Sequence, residues 1–121
     1  MAVSANSWKV VREGMRRVVE EPGGTGGLAR IPGITSGGKT GTAQNPHGPD
    51  HAWYIGFAPF DAPRIAIAVL VENAGFGGTA AAPIAGKCME RYLIGSGPAR
   101  NPEIPKPPIA SGTDTRPLAT H

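Results

Sequence analysis

Cysteine is almost missing from this chain: Cys88 stands alone among 121 residues, so no internal disulfide can form. The lone thiol reads as a small core residue. Aromatic residues make up only 6%, and none interleaves with the one basic cluster, Arg12, Arg16 and Arg17. The net charge of +3 therefore does not point to nucleic acid, and the cluster reads as the solvated face of a helix. No apolar run approaches the roughly 20 residues of a membrane span. Met1 leads into no signal-peptide pattern, so an exported protein would carry its exporting segment outside this chain. His47, Asp50 and His51 lie close in sequence, yet a metal site needs three or four convergent ligands and no Cys/His set accompanies them. They read as loop residues at the mouth of a cleft, and neither metal nor cofactor is expected.

Glycine and proline are abundant, with 18 and 13 residues. Six prolines, Pro98, Pro102, Pro105, Pro107, Pro108 and Pro117, follow Gly97. Such a composition cannot bury enough apolar surface to offset its conformational entropy. Residues 97–121 are thus expected to be a disordered or extended tail behind one packed portion, residues 1–96.

In the packed portion, the densest chemistry lies in Ser36-Gly37-Gly38-Lys39-Thr40-Gly41-Thr42-Ala43-Gln44. Gly33, Gly38, Lys39 and Thr40 fill the nucleotide phosphate-loop pattern G-x-x-x-x-G-K-[ST]. That loop works between a buried strand and a helix N-terminus, whose amides hold the phosphates. Pro32 would interrupt the strand, and Asn45-Pro46-His47-Gly48-Pro49 stands where the helix should run. Alternatively, Lys39-Thr40-Gly41 is the K-T-G element of serine acyl-transfer enzymes, which sits on a strand. Alternation places Lys39 and Gly41 on one face and Thr40 and Thr42 on the other. A glycine there leaves room for an extended substrate, while an ammonium and hydroxyls can hold a carboxylate by charge-assisted hydrogen bonds.

Around this element, Ser7 can cap a helix over 8–20 with Trp8, Val11, Met15, Val18 and Val19 as its core stripe. Strands are predicted over 35–44, 51–58 and 64–72. Pro59-Phe60-Asp61-Ala62-Pro63 makes the last two an antiparallel hairpin. The near-continuous apolar run of the third suggests burial on both faces. Of Trp53 and Tyr54, adjacent on a strand, one should be core and the other partly exposed. A second helix is predicted from residue 80 or 81 to 93, with Pro83 in its first turn and Ile84, Cys88, Tyr92 and Met89 as its packing stripe. The expected fold is α+β, an antiparallel three-strand meander flanked by helices.

Taken in order, Lys39-Thr40-Gly41-Thr42-Ala43-Gln44, His51-Ala52-Trp53-Tyr54-Ile55-Gly56-Phe57-Ala58-Pro59 and Ile65-Ala66-Ile67-Ala68-Val69-Leu70-Val71-Glu72-Asn73 resemble the C-terminal part of the transpeptidase domain of class B penicillin-binding proteins. The nearest likeness is to the penicillin-binding protein 2 type, which serves cell elongation. Val11-Arg12-Glu13-Gly14-Met15 and Ala81-Ala82-Pro83-Ile84-Ala85 resemble its flanking helices, so the likeness spans roughly residues 7–94. The resemblance implies the serine penicillin-binding/β-lactamase-like fold and acyl transfer, in which a serine attacks the D-Ala-D-Ala bond of a peptidoglycan stem peptide and β-lactams mimic that donor. It further implies that Lys39, Thr40, Gly41 and Thr42 bind substrate, and that the Thr42 backbone N–H forms half of an oxyanion hole, a contact worth about 3 to 4 kcal/mol. A membrane glycosyltransferase and elongation-complex proteins are implied as partners, at the periplasmic face of the inner membrane, with the anchor outside this chain.

The family's nucleophile lies in S-x-x-K at a helix start. Ser36-x-x-Lys39 is the literal match, but it overlaps K-T-G and contains two glycines, and one lysine cannot serve both motifs. Ser4-Ala5-Asn6 spells the family's S-x-N by coincidence, with Ser4 an ordinary polar residue before the helix. The chain is thus expected to lack the nucleophile and to be inert alone, and its uncovered apolar faces are expected to cause aggregation or partial order. The other open readings are a nucleotide binder, which requires a helix right after Thr40, and a non-catalytic interaction module with a partner-recruiting proline-rich tail.

Overall fold

The computed structural model describes residues 2–95; the tail expected over 97–121 lies outside the described residues. Helix α1 spans Ala5–Glu20, a short 3-10 turn follows at Gly27–Ala29, then strands β1 (Gly37–Ala43), β2 (His51–Ala58) and β3 (Ile65–Val71), and helix α2 spans Gly77–Leu93. The strands form an antiparallel sheet in the order β1-β2-β3, as the meander expectation requires.

α1 starts earlier than the sequence suggests. Its cap is Ser4, not Ser7: the Ser4 hydroxyl accepts the Ser7 backbone N–H at 3.1 Å and satisfies a donor left orphaned at the helix start. Along the polar side, Glu13 pairs with both Arg16 and Arg17. Arg12 departs from the solvated-face expectation. It donates to the Phe60 carbonyl and lies over the Phe57 and Phe60 rings, with centroids at 5.6 and 5.0 Å. The predicted apolar stripe packs only at its C-terminal end. Val19 is buried, whereas Trp8 and Val11 are exposed, because the sheet underlies only the last turns of the helix.

β2 occupies the predicted residues, and its alternation is clean: Tyr54 is fully buried and Trp53 is 40% exposed. β3 is not buried on both faces. Ile65, Ile67, Val69 and Val71 pack toward the core, while Ala66, Ala68 and Leu70 are exposed, since β3 is an edge strand with a helix on one side only.

α2 begins at Gly77, so Pro83 is its seventh residue rather than part of the first turn. Its buried stripe is Gly77, Ala81, Ala82, Ala85, Gly86 and Met89. Ile84, Cys88 and Tyr92, expected to be core, are exposed. Close approach decided the orientation. A Cβ on Gly86 would come within 2.7 Å of the Ala29 carbonyl oxygen, and only the small-residue face can sit that near.

Tyr54 fills the centre of this core beneath Gly38 and Gly56, whose missing side chains make room for its ring and hydroxyl. That hydroxyl is buried and has no hydrogen-bond partner among the described residues. Burial, and secondarily the charge of Glu20, pushes its pKa from 10.0 up to about 12. The folded state therefore holds the proton more tightly than the unfolded chain. The tyrosine is neutral in both states below pH 10, and stability falls by up to about 3 kcal/mol as pH rises from 10 to 12. In Tyr54→Phe this alkaline loss should vanish. At pH 7 the variant should be within about 1 kcal/mol of wild type or more stable, because an unpaired buried hydroxyl is removed. Denaturant titration at the two pH values checks both statements.

Candidate functional site

Lys39, Thr40, Gly41 and Thr42 lie consecutively on β1, an outer strand with one edge unpaired within the sheet. The register Lys39↔Ile55, Thr40↔Tyr54, Gly41↔Trp53 and Thr42↔Ala52 places Thr40 and Thr42 on the side of buried Tyr54, and Lys39 and Gly41 on the side of exposed Trp53 and Ile55. Lys39 is exposed, and its Nζ donates to the carbonyl of Thr40 at 2.6 Å. The Thr40 hydroxyl donates to the Thr25 hydroxyl at 3.0 Å. A charged head and two hydroxyls thus flank the same short length of edge strand from opposite faces, where a group lying along that edge can be reached from both.

A cavity of about 620 Å³ adjoins the threonine side. Thr40 and Thr42 form one wall, the loop residues Gly24, Thr25, Gly27 and Leu28 another, and Phe76 to Thr79 at the start of α2 close it. Two glycines bring these walls together. Gly77 lies over the backbone of Gly41 and Trp53, and Gly78 over the carbonyl of Thr25. A side chain at Gly77 would push α2 off the strand, and one at Gly78 would push it off the Thr25 loop.

The phosphate-loop alternative fails structurally. β1 continues through Ala43 and a loop follows, with no helix after Thr40. Nor does Ser36 pair with Lys39. Ser36 is wholly buried just before the strand, its hydroxyl has no partner among the described residues, and its backbone N–H goes to Glu20. Residues three apart on a strand point to opposite faces, so the apparent S-x-x-K is not a nucleophile and its base. Ser4-Ala5-Asn6 opens α1, with Ser4 serving as the helix cap.

His47, Asp50 and His51 have structural partners. The Asn45 side chain accepts the His47 N–H, and Asp50 accepts the Asn45 N–H. His51 Nδ1 accepts the Asn73 N–H at 3.1 Å, which ties the start of β2 to the residues before α2. Among the described residues, no three His, Cys, Asp or Glu side chains converge on a metal position. Two residues at this site went unnoticed in the sequence. Thr25 had a local signal, a lone hydroxyl inside Pro22-Gly23-Gly24-Thr25-Gly26-Gly27. Glu20 had none, because its partner Ser36 lies 16 residues away.

The sequence profile of the penicillin-binding protein transpeptidase domain matches residues 1–90. Peptidoglycan D,D-transpeptidase MrdA of Haemophilus influenzae is 38% identical over 103 residues, 72% of this chain and 16% of that protein. Peptidoglycan D,D-transpeptidase PbpA of Mycobacterium tuberculosis is 49% identical over 74 residues, 54% of this chain and 15% of its own length. Among solved structures, Pseudomonas aeruginosa PBP2 in complex with WCK 5153 superimposes with a TM-score of 0.69 at 37% identity, covering 78% of this chain and 20% of that one. The penicillin G acyl-enzyme complex of penicillin-binding protein A from M. tuberculosis gives 0.60 at 41% identity, with 75% and 21% covered. The chain spans about one sixth of the length of the first relatives it matches. With the profile running from α1 through all three strands and into α2, this chain belongs to the penicillin-binding protein transpeptidase family and forms part of a transpeptidase domain of the penicillin-binding protein 2 type.

Proposed function

We propose that this chain supplies one wall of the donor site of a peptidoglycan D,D-transpeptidase, and that the observation carrying this role is the Lys39-Thr40-Gly41-Thr42 run on an outer strand beside a cavity. In this assignment the terminal carboxylate of a D-Ala-D-Ala stem peptide lies along β1. The Lys39 ammonium approaches it from one face, and the Thr40 and Thr42 hydroxyls approach from the other. Lys39 exchanges its bond to the Thr40 carbonyl for the carboxylate, a stronger acceptor. Gly41 keeps that edge free of a side chain. The Thr42 backbone N–H helps hold the oxyanion that forms when a serine attacks the scissile carbonyl. A β-lactam presents the same carboxylate and carbonyl and takes the same place.

The serine and its general base come from outside these residues, so the segment alone performs no acyl transfer. As part of a whole enzyme, it would work at the periplasmic face of the inner membrane with a membrane glycosyltransferase and elongation-complex proteins. Fluorescent penicillin tests the assignment. A protein joining this segment to the rest of its transpeptidase domain should be covalently labelled, and the segment alone should not. An unlabelled whole protein, or a labelled segment, would refute it.

A further inference from the structure

Glu20 is the last residue of α1, and its side chain is only 12% exposed. One carboxylate oxygen accepts the backbone N–H of Ser36 at 3.0 Å, and the other lies 3.2 Å from Arg30 Nε. Ser36 immediately precedes β1, three residues before Lys39. Gly37 and Gly38 stand between them, both buried, their side-chain positions taken by the Phe57 ring and the Tyr54 hydroxyl. A strand that opens on two glycines has no side-chain anchor, and glycine leaves the backbone its widest freedom. The backbone just before β1 is therefore held by two hydrogen bonds. The Thr35 carbonyl accepts the Phe60 N–H at 2.8 Å, and Ser36 donates to Glu20. The second is charge-assisted, which makes it the stronger. Through Arg30, which follows the Gly27–Ala29 turn, the same carboxylate reaches the segment that walls the cavity opposite Thr40 and Thr42.

We infer that Glu20 is a positioning residue, which sets the place of the Lys39–Thr42 edge by holding the Ser36 N–H. The inference rests on the transpeptidase assignment and adds to it a residue that touches no substrate. Misplacing a binding edge by a fraction of an ångström weakens the contacts that tighten in the transition state more than those of initial binding. The test is the acylation kinetics of a fluorescent penicillin with the whole transpeptidase that carries this segment, separating the acylation rate constant from the binding constant. Glu20→Ala should lower the rate constant about tenfold and change the binding constant less than about threefold. Glu20→Gln, whose amide oxygen still accepts from Ser36, should stay within about threefold of wild type. Glu20→Asp, withdrawn by one methylene, should be slower than Glu20→Gln. Val71→Ala at the end of β3 supplies a loss of stability away from Ser36 and should acylate at the wild-type rate. Wild-type rates in both the alanine and aspartate variants overturn the inference, as does an equal slowing in Val71→Ala. Should Glu20→Ala not fold, the comparison of Asp with Gln decides: equal rates overturn the inference and a slower Asp supports it. An unlabelled wild-type enzyme refutes the transpeptidase assignment instead.

Discussion

Replacing Gly77 by alanine should lower the unfolding free energy by about 3 kcal/mol or more and unseat the start of α2. A Cβ there would overlap the Trp53 carbonyl oxygen and come within 2.5 Å of the Gly41 carbonyl oxygen and 3.0 Å of its nitrogen. These are backbone atoms of two paired strands, so no side-chain rotation can yield space. The helix must lift, which uncovers Ala81, Ala82 and Ala85 together, or the sheet must bend at Gly41. Gly14→Ala is the matched control. It sits in the middle of α1 with nothing within 4 Å of its would-be Cβ, and should stabilise by about 0.5 to 1 kcal/mol through helix propensity alone. Denaturation midpoints of the two variants measure both effects. A Gly77→Ala protein as stable as wild type would mean that α2 does not rest on the strand backbone.

Replacing Lys39 by alanine should slow acylation by penicillin about 10²- to 10³-fold in the whole enzyme, the usual cost of deleting one well-placed donor. Stability should not follow. Lys39 is exposed, and among the described residues its side chain bonds to the carbonyl of its own neighbour. An exposed contact of this kind contributes little to folding. Lys39→Arg should recover only part of the rate, because a planar fork does not present its charge as a compact ammonium does. Melting temperature and acylation rate, measured on the same preparations, separate the two roles. A rate within threefold of wild type in Lys39→Ala would remove this lysine from the donor site.

Much of this was legible in the sequence, for identifiable reasons. β2 announced itself through alternation, and Trp53 and Tyr54 separated onto opposite faces as a strand demands. The hairpin turn was carried by local chemistry, Pro59 through Pro63. What was misread depended on tertiary fit. The stripe of α2 follows its smallest residues rather than its most apolar ones, because the gain comes from backbone proximity to Ala29, Gly41 and Trp53. The apolar run of β3 looked doubly buried because nothing in a run says how many layers cover it. Lys39, Thr40, Gly41 and Thr42 were visible as a motif. Their setting was not: the Thr25 hydroxyl that holds Thr40 and the Glu20 carboxylate ahead of the strand join residues 15 and 16 positions apart.

Tyr54, seated under Gly38 and Gly56, acts as a gauge for the zippering of β1 onto β2. Slide β1 by one residue and every side chain changes sides. The ammonium of Lys39 would then be turned toward the cavity that Thr40 and Thr42 now line, and a threonine would be turned outward in its place. In the observed alignment the phenol lies under Gly38 and Gly56, the two positions of the pair that leave it room. The alignment that seats Tyr54 under Gly38 and Gly56 is therefore also the one that puts the positive charge, before any substrate arrives, on the side of the sheet away from the phenol.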